Sequence, residues 1–150
     1  MVCGSATDKF LPPYVVYKAK NLYDNWCDGG PPGTGYSCTK SDWFDMFVFQ
    51  RWFNTVFLPA VKNDPGKKLL IGDNLASHLN MEVIDACSRE NIEFVCFPLN
   101  ITDKLQPLDV SVFCPMKRYW KEQLKRHKVE DPNVKVLQKT VFPASMVWFH

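Results

Sequence analysis

A short apolar run that ends in an acid constrains the fold of this chain most. Residues 68–73 (Lys-Leu-Leu-Ile-Gly-Asp) have the composition of a buried strand that delivers the Asp73 carboxylate at its C-terminal end. A candidate helix follows at 80–90 with Asn80 as its N-cap and with Val83, Ile84 and Cys87 facing inward. A second strand at 92–97 completes the unit. A strand, a helix and a strand in this order predict a βαβ unit with two parallel strands.

The rest of the chain adds strands before this unit and a helix on each side of it. The predicted elements are strands at Met1–Ser5 and Tyr14–Tyr17, a Gly/Pro-rich loop or short hairpin at 27–39, a helix from Trp43 to about Val61, and a last helix from about Pro115 to about His127. Ser41 or Asp42 is the candidate N-cap of the first long helix, and Pro59 is expected to end or kink it. The element order β, β, α, β, α, β, α predicts the α/β class.

The positive charge of the chain is concentrated near its C-terminus. Residues 1–110 hold 10 Lys/Arg against 13 Asp/Glu, a net of −3, whereas residues 111–150 hold 8 against 3, a net of +5. Helical spacing in the last helix predicts an inward set (Met116, Tyr119, Trp120 and Leu124) and an outward basic set (Lys117, Arg118, Lys121, Lys125 and Arg126). A basic surface fits a polyanion partner, and an ordinary solvated helix face explains the charge equally well.

Two acids have the positions that metal-assisted chemistry on a phosphodiester requires. Asp73 ends the central strand, and Asp109 precedes the basic helix. Carboxylates at the C-terminal ends of strands are well placed to supply the hard oxygen ligands of a divalent ion. From the residues alone, Asp73 also fits a turn residue that caps the next amides, and Asp109 also fits an acid at a helix start.

The strings around both acids resemble the pogo/Tigger-type transposases of the DDE superfamily. Residues 70–78 (Leu-Ile-Gly-Asp-Asn-Leu-Ala-Ser-His) resemble the central motif of that family, and residues 97–113, with Leu-Gln-Pro-Leu-Asp-Val at 105–110, resemble its second motif. Residues 9–18 and the pair Trp43-Phe44 are also similar to the family. The resemblance makes residues 1–127 a partial DDE core and leaves 128–150 as a tail without a clear period.

The resemblance implies an RNase H-like fold, a mixed five-stranded sheet flanked by helices, with its first strand missing here. It also implies three carboxylates that hold two Mg²⁺ or Mn²⁺ ions, of which the second falls on Asp73 and the third on Asp109. The first belongs on the missing strand, and Asp8, Asp24 and Asp28 lie in turns or loops that do not replace it. We therefore expect the 150 residues alone to show no metal-dependent DNA cleavage, and we expect the two carboxylates to lie roughly 4–8 Å apart.

The implied function is divalent-metal-dependent cleavage and transfer of DNA strands in the nucleus. DNA is then the partner, with Lys117, Arg118, Lys121 and Lys125 on its phosphates, and self-association would use regions outside these residues. Two alternatives stay open: a non-catalytic DNA- or chromatin-binding module recruited by a host, and a different α/β metallohydrolase that acts on small phosphoesters. The chain has no apolar run of about 18 residues, so no membrane partner is expected.

Overall fold

The architecture combines pairs of parallel strands with helices, so the predicted α/β class is confirmed. The computed structural model describes residues 1–41, 44–72, 80–97, 107–130, 139–143 and 146. In these ranges the strands are β1 (Tyr14–Lys18), β2 (Gly35–Thr39), β3 (Lys68–Gly72) and β4 (Ile92–Cys96), and they form the two-stranded sheets β1–β2 and β3–β4. The larger RNase H-like sheet is not seen within the described residues and stays a prediction.

Strand β1 pairs in parallel with β2, from Tyr14 opposite Gly35 to Lys18 opposite Thr39. The Gly/Pro content predicts a loop or short hairpin over 27–39, and this prediction is wrong for Gly35–Thr39. A Cβ atom on Gly35 would lie 2.3 Å from Cδ2 of Tyr14. Glycine at this position therefore allows the two strands to approach closely, and it marks a strand start rather than a loop.

The predicted strand at Met1–Ser5 is reduced to a single antiparallel bridge between Gly4 and Phe10. Backbone pairing continues beyond the bridge, because the Tyr14 N–H donates to the Met1 carbonyl at 2.9 Å. The intervening turn closes with its own hydrogen bonds, and too few consecutive pairs remain to form a ladder. The N-terminal segment thus runs beside residues 10–14, up to the start of β1, without being a regular strand.

A long helix built from three segments follows the β1–β2 pair. The segments are α1 (Met46–Trp52), a π-helical turn (Phe53–Phe57) and α2 (Leu58–Val61). Asp45 has the capping role predicted for Ser41 or Asp42, because its Oδ1 accepts from the Val48 N–H at 2.9 Å. Asp42 and Trp43, where the helix is predicted to start, lie outside the described residues.

Pro59 does not end this helix, because it lies at the start of α2, directly after the π-helical turn. In that turn the Leu58 N–H donates to the Phe53 carbonyl, five residues back. Proline has no N–H and its ring clashes with the carbonyl four residues before it in a regular α-helix. The wider turn supplies a new helix start, where a proline is tolerated, so the chain stays helical to Val61.

The predicted βαβ unit is confirmed. Strand β3 pairs in parallel with β4, with Lys68 opposite Ile92 and Gly72 opposite Cys96. Helix α3 (Met81–Arg89) connects them, and Asn80 is its N-cap, as predicted, because its Oδ1 accepts from the Val83 N–H at 3.0 Å. This unit has the parallel strands that place both C-terminal ends at one edge.

The buried face of α3 differs by one residue from the predicted face. Val83 and Cys87 are buried as predicted, but Ile84 is 43% exposed and Ala86 is buried instead. Residues at i, i+3 and i+4 share one helix face, so Ala86 and Cys87 lie above Val83, whereas Ile84 is rotated by about 100° from it. The prediction that Ile84 lies inward is therefore wrong.

Aromatic side chains from the long helix form the centre of the core. Phe49, Trp52, Phe53 and Phe57 are all buried, and they pack with buried side chains of β3, α3 and β4. The ring centroids of Phe49 and Trp52 are 5.4 Å apart, and those of Phe53 and Phe57 are 5.3 Å apart. Burial of such large rings contributes more to stability than any surface contact in this chain.

The last helix begins earlier than the predicted start near Pro115. It is helical from Pro107, passes through a second π-helical turn (Asp109–Phe113), and continues as α4 (Cys114–Glu130). Pro115 again follows a π-helical turn by two residues, and the Cys114 N–H donates to the Asp109 carbonyl. The predicted start is wrong because Pro115 lies inside the helix, which is seen from Pro107 onward in the described residues.

Candidate metal and nucleic-acid site

The C-terminal edge of the β3–β4 sheet is where the predicted site begins. Gly72 and Cys96 form the last register pair, and the Phe97 N–H donates to the Gly72 carbonyl at 2.9 Å. Asp73 follows Gly72 in the chain but lies outside the described residues, as does the loop at 98–106. The edge that precedes Asp73 is therefore well defined, whereas the position of its carboxylate is not described.

Asp109 lies within the first turns of the last helix rather than ahead of it. Its side chain is half-buried, and the Ser111 hydroxyl donates to the Pro107 carbonyl at 2.7 Å one turn earlier. A carboxylate in this position interacts favourably with the positive end of the helix dipole. The two interpretations from the sequence, a metal ligand and a helix-start acid, are therefore both compatible with the geometry.

The basic row of α4 faces solvent. Lys117, Arg118, Lys121 and Lys125 are exposed. The predicted inward side chains Met116, Tyr119, Trp120 and Leu124 are half-buried.

The inward face of α4 is not fully packed, because a cleft of about 390 Å³ separates it from β1. Met116 and Trp120 line this cleft opposite Tyr14 and Tyr17. The Trp120 ring also packs edge-on against Phe142 with centroids 5.2 Å apart. This contact packs the inward face of α4 against Phe142, and the exposed cations lie on the opposite face of the helix.

The donor types of the predicted site fit a divalent ion. Carboxylate oxygens, as on Asp73 and Asp109, are the ligands that Mg²⁺ and Mn²⁺ prefer. Within the described ranges, no three His, Cys, Asp or Glu side chains lie together as a metal site would need. Asp73 and His78 are outside those ranges, so their distances to Asp109 are not described.

Titratable groups with shifted pKa values lie in the core rather than beside Asp109. Burial raises the pKa of the Cys3 thiol to about 11 and raises the pKa of the Cys87 thiol and the Tyr17 hydroxyl. Burial also raises the pKa of Tyr14, and the nearby Arg51 guanidinium partly opposes that shift. These four groups stay neutral near neutral pH, which indicates structural roles.

A second group of cations lines a polar cleft that the sequence pattern does not reveal. Lys20, Lys40 and Arg51 line this cleft of about 520 Å³, between the C-terminal ends of β1 and β2 and the first turns of α1. Lys20 and Lys40 are distant in sequence and meet because β1 and β2 are parallel. In the sequence, the only sign of this cleft is a lysine shortly after the end of each strand, Lys20 after β1 and Lys40 after β2. That sign can be interpreted only when β2 is known to be a strand.

Comparison with known proteins gives consistent results for most of the chain. The family model described as "DDE superfamily endonuclease" matches residues 1–143. Two relatives named "Pogo transposable element with KRAB domain", from Homo sapiens and Mus musculus, are each 25% identical over 112 residues, or 74% of this chain and 18% of theirs. A protein of Cochliobolus lunatus named "MFS-type transporter clz9" is 24% identical over 120 residues, or 76% of this chain and 13% of its own length.

The chain thus spans less than a fifth of the curated relatives that it matches. No solved structure matches it at a significant level. Among the described residues, no helix is both long and apolar enough to cross a membrane. Because the family model covers nearly the whole chain and the pogo relatives match the same stretch, the chain belongs to the DDE superfamily endonuclease family, as a pogo-like member.

Proposed function

We propose that this chain is part of the catalytic core of an endonuclease that cleaves and transfers DNA strands in the nucleus. Asp73 and Asp109 are its metal-binding carboxylates in this proposal. The observation that carries it is the parallel β3–β4 pair, whose last register pair is Gly72 and Cys96, directly before Asp73. In open α/β sheets, ligands bind outside the C-terminal ends of the strands.

Mg²⁺ or Mn²⁺ bound at this edge would activate a water or a 3′-hydroxyl and stabilise the leaving oxygen. In this proposal the residues of the chain bind the metal and position the DNA. The two carboxylates supply negative charge and oxygen ligands at the sheet edge, and the exposed cations of α4 hold the phosphate backbone. RNase H-like topology, which would bring Asp109 to the same edge, is part of the proposal.

Metal binding tests the site directly. We expect the chain to bind Mn²⁺ weakly, and we expect Asp73→Asn and Asp109→Asn each to weaken that binding at least about tenfold because each removes an anionic ligand. Asp64→Asn, in an exposed turn, is the control with the same loss of charge. Equal Mn²⁺ affinity in all four proteins, measured by titration calorimetry, would refute the shared site.

DNA binding tests the basic row. Replacing Lys117, Lys121 and Lys125 with Ala removes up to three phosphate contacts, each worth about 0.9 in the slope of log affinity against log salt on duplex DNA. The slope should fall by about 2.7, equally for unrelated sequences, and folding should survive because these side chains are exposed. A triple variant with the parent's affinity across the salt titration would make the row an ordinary solvated face.

The names of the mammalian relatives favour a second candidate function. Each name joins a pogo transposable element to a KRAB domain in one protein. A chain of this kind would serve as a non-catalytic DNA-binding module. It would keep the salt-dependent DNA affinity of α4, but the Asp73→Asn variant would then bind Mn²⁺ as the parent does.

A further inference from the structure

The polar cleft concentrates positive charge at one end of the β1–β2 sheet. Lys20 follows β1, Lys40 follows β2, and Arg51 reaches the cleft from α1. Lys20, Lys40 and Arg51 are exposed, and all three line the cleft although they come from different parts of the chain. A cleft lined by charge of one sign raises the local concentration of the opposite ion.

The cations of this cleft are available to an external anion. Within the described part of the chain, none of Lys20, Lys40 and Arg51 forms an ion pair. Asp45 also lines the cleft, but its Oδ1 already accepts from the Val48 N–H at 2.9 Å. One capping carboxylate against three cations leaves a net positive lining.

A hydroxyl group accompanies the cations. Ser41 lines the same cleft and is exposed. Hydroxyls and guanidinium groups are the donors that proteins use for phosphate oxygens, and arginine can bind two of them at once. The donor set therefore fits an anionic phosphodiester better than a cationic or apolar ligand.

Hydrogen bonds connect α1, which borders the cleft, to the start of α3. Because β4 is parallel to β3, α3 must run back along the sheet and so begins at the C-terminal edge. The start of α3 contacts α1, since Asn80 Nδ2 donates to Gln50 Oε1 at 2.5 Å and Gln50 Nε2 donates to the Glu82 carboxylate. Arg51 is the residue after Gln50, so these contacts tie the cationic cleft to the edge that precedes Asp73.

We propose that the cleft lined by Lys20, Lys40 and Arg51 holds the phosphate backbone of a DNA strand whose neighbouring part reaches the Asp73 edge. This inference rests on the proposed function for its choice of DNA. It adds a second contact surface, separate from α4. The DNA would then be held by two separate basic surfaces rather than by one.

The test compares two charge-matched double variants of the chain. Lys20→Gln/Lys40→Gln removes two cations from the cleft, whereas Lys9→Gln/Lys62→Gln removes two exposed cations outside it. Affinity for a labelled duplex of about 20 base pairs and for the matching single strand is measured by fluorescence anisotropy between roughly 50 and 200 mM salt. Arg51 is left in place because it contacts the Tyr14 hydroxyl.

We expect the cleft variant to lower the salt slope by about 1.8 on the duplex and about 1.4 on the single strand, with no change in the control variant. On the duplex, the affinity advantage of the parent should then be about 12-fold larger at 50 mM than at 200 mM salt. A loss on only one of the two DNAs would identify the form that the cleft holds, and a loss on either supports the proposal.

Unchanged slopes in the cleft variant would overturn the inference, while a lowered slope in the α4 triple variant would leave the proposed function standing. Absence of DNA binding by the parent at low salt would overturn both. If the cleft variant fails to fold, reductive methylation of the parent with and without DNA decides. Protection of Lys20 and Lys40 but not of Lys9 and Lys62 supports the cleft, and equal labelling of all four refutes it.

Discussion

Asn80 caps α3 and donates a hydrogen bond to Gln50 of α1. Its replacement therefore tests the packing between these two helices, next to the edge of the β3–β4 sheet that precedes Asp73. Its Oδ1 accepts from the Val83 N–H at 3.0 Å, and its Nδ2 donates to Gln50 Oε1 at 2.5 Å. Loss of an N-cap costs about 1 kcal/mol, and loss of a hydrogen bond between side chains costs about 1 kcal/mol more. Asn80→Ala should therefore lower the free energy of unfolding by about 2 kcal/mol.

Asn80→Ser separates the two contributions, because serine keeps a capping oxygen but cannot donate to Gln50 at the same reach. Its cost should be about 1 kcal/mol, half that of Asn80→Ala. For a chain of this length, the midpoint of thermal unfolding should fall by about 4–8 °C in Asn80→Ala and about 2–4 °C in Asn80→Ser. Urea denaturation measures the free energies and thermal denaturation measures the midpoints, both followed by circular dichroism. Replacement of the exposed Asn25 with Ala is the control, and it should change stability by less than about 0.5 kcal/mol.

A loss smaller than about 0.5 kcal/mol in Asn80→Ala would refute the assigned cap and link together. Equal losses in the two variants would show that the contact with Gln50 dominates and that the cap contributes nothing measurable. The first result would also weaken the connection between the cationic cleft and the β3–β4 edge, because that connection depends on the same side chain, whereas the second would leave it standing.

Two further predictions concern the core and its pH dependence. Phe53→Ala should lower the free energy of unfolding by about 3–5 kcal/mol, because Phe53 is 0% exposed. Phe47→Ala removes the same ring at 72% exposure and should cost less than about 1 kcal/mol. Urea denaturation measures both costs, and similar values would contradict the assigned helix face. Burial raises the pKa of the Cys3 thiol from 9.0 to about 11. Between pH 9 and 11 the unfolded chain therefore loses this proton before the folded chain does, which favours unfolding. The parent should lose roughly 1–2 kcal/mol of stability over this range. Cys3→Ala should flatten that part of the stability profile, and an unchanged profile would argue against burial of the thiol.

The βαβ unit was predictable from the sequence because local signals and tertiary structure agree there. The apolar run at 68–72, the capping Asn80 and the strand at 92–96 each indicate their own element, and the short connections permit one parallel pairing. The boundary at Gly72 follows from the same pattern, and the predicted strand at 92–97 is one residue longer than the observed one. The position of Asp73 relative to Asp109 depends on long-range packing, which no local pattern encodes.

Strand β2 was not predictable by the same means. Its sequence, Gly-Tyr-Ser-Cys-Thr, follows a run of glycines and prolines, and only the parallel pairing with β1 makes Gly35–Thr39 a strand. A parallel partner lies far away in sequence, so its contribution does not appear in a local window. The cationic cleft depends on that pairing, and for this reason Lys20 and Lys40 are informative in the structure but not in the sequence.

The two π-helical turns bear on how the length of this chain can vary among relatives. A π turn closes its hydrogen bonds one residue later than an α turn, so Phe53–Phe57 and Asp109–Phe113 each carry one residue that a regular helix would not need. A deletion within either turn would leave the helix continuous, with its flanking faces in place, provided that the proline which follows were also replaced. A deletion within Met46–Trp52 would instead rotate every later side chain by about 100° relative to the core. Alignment gaps in this part of the family should therefore fall at the two wide turns, together with loss of Pro59 or Pro115.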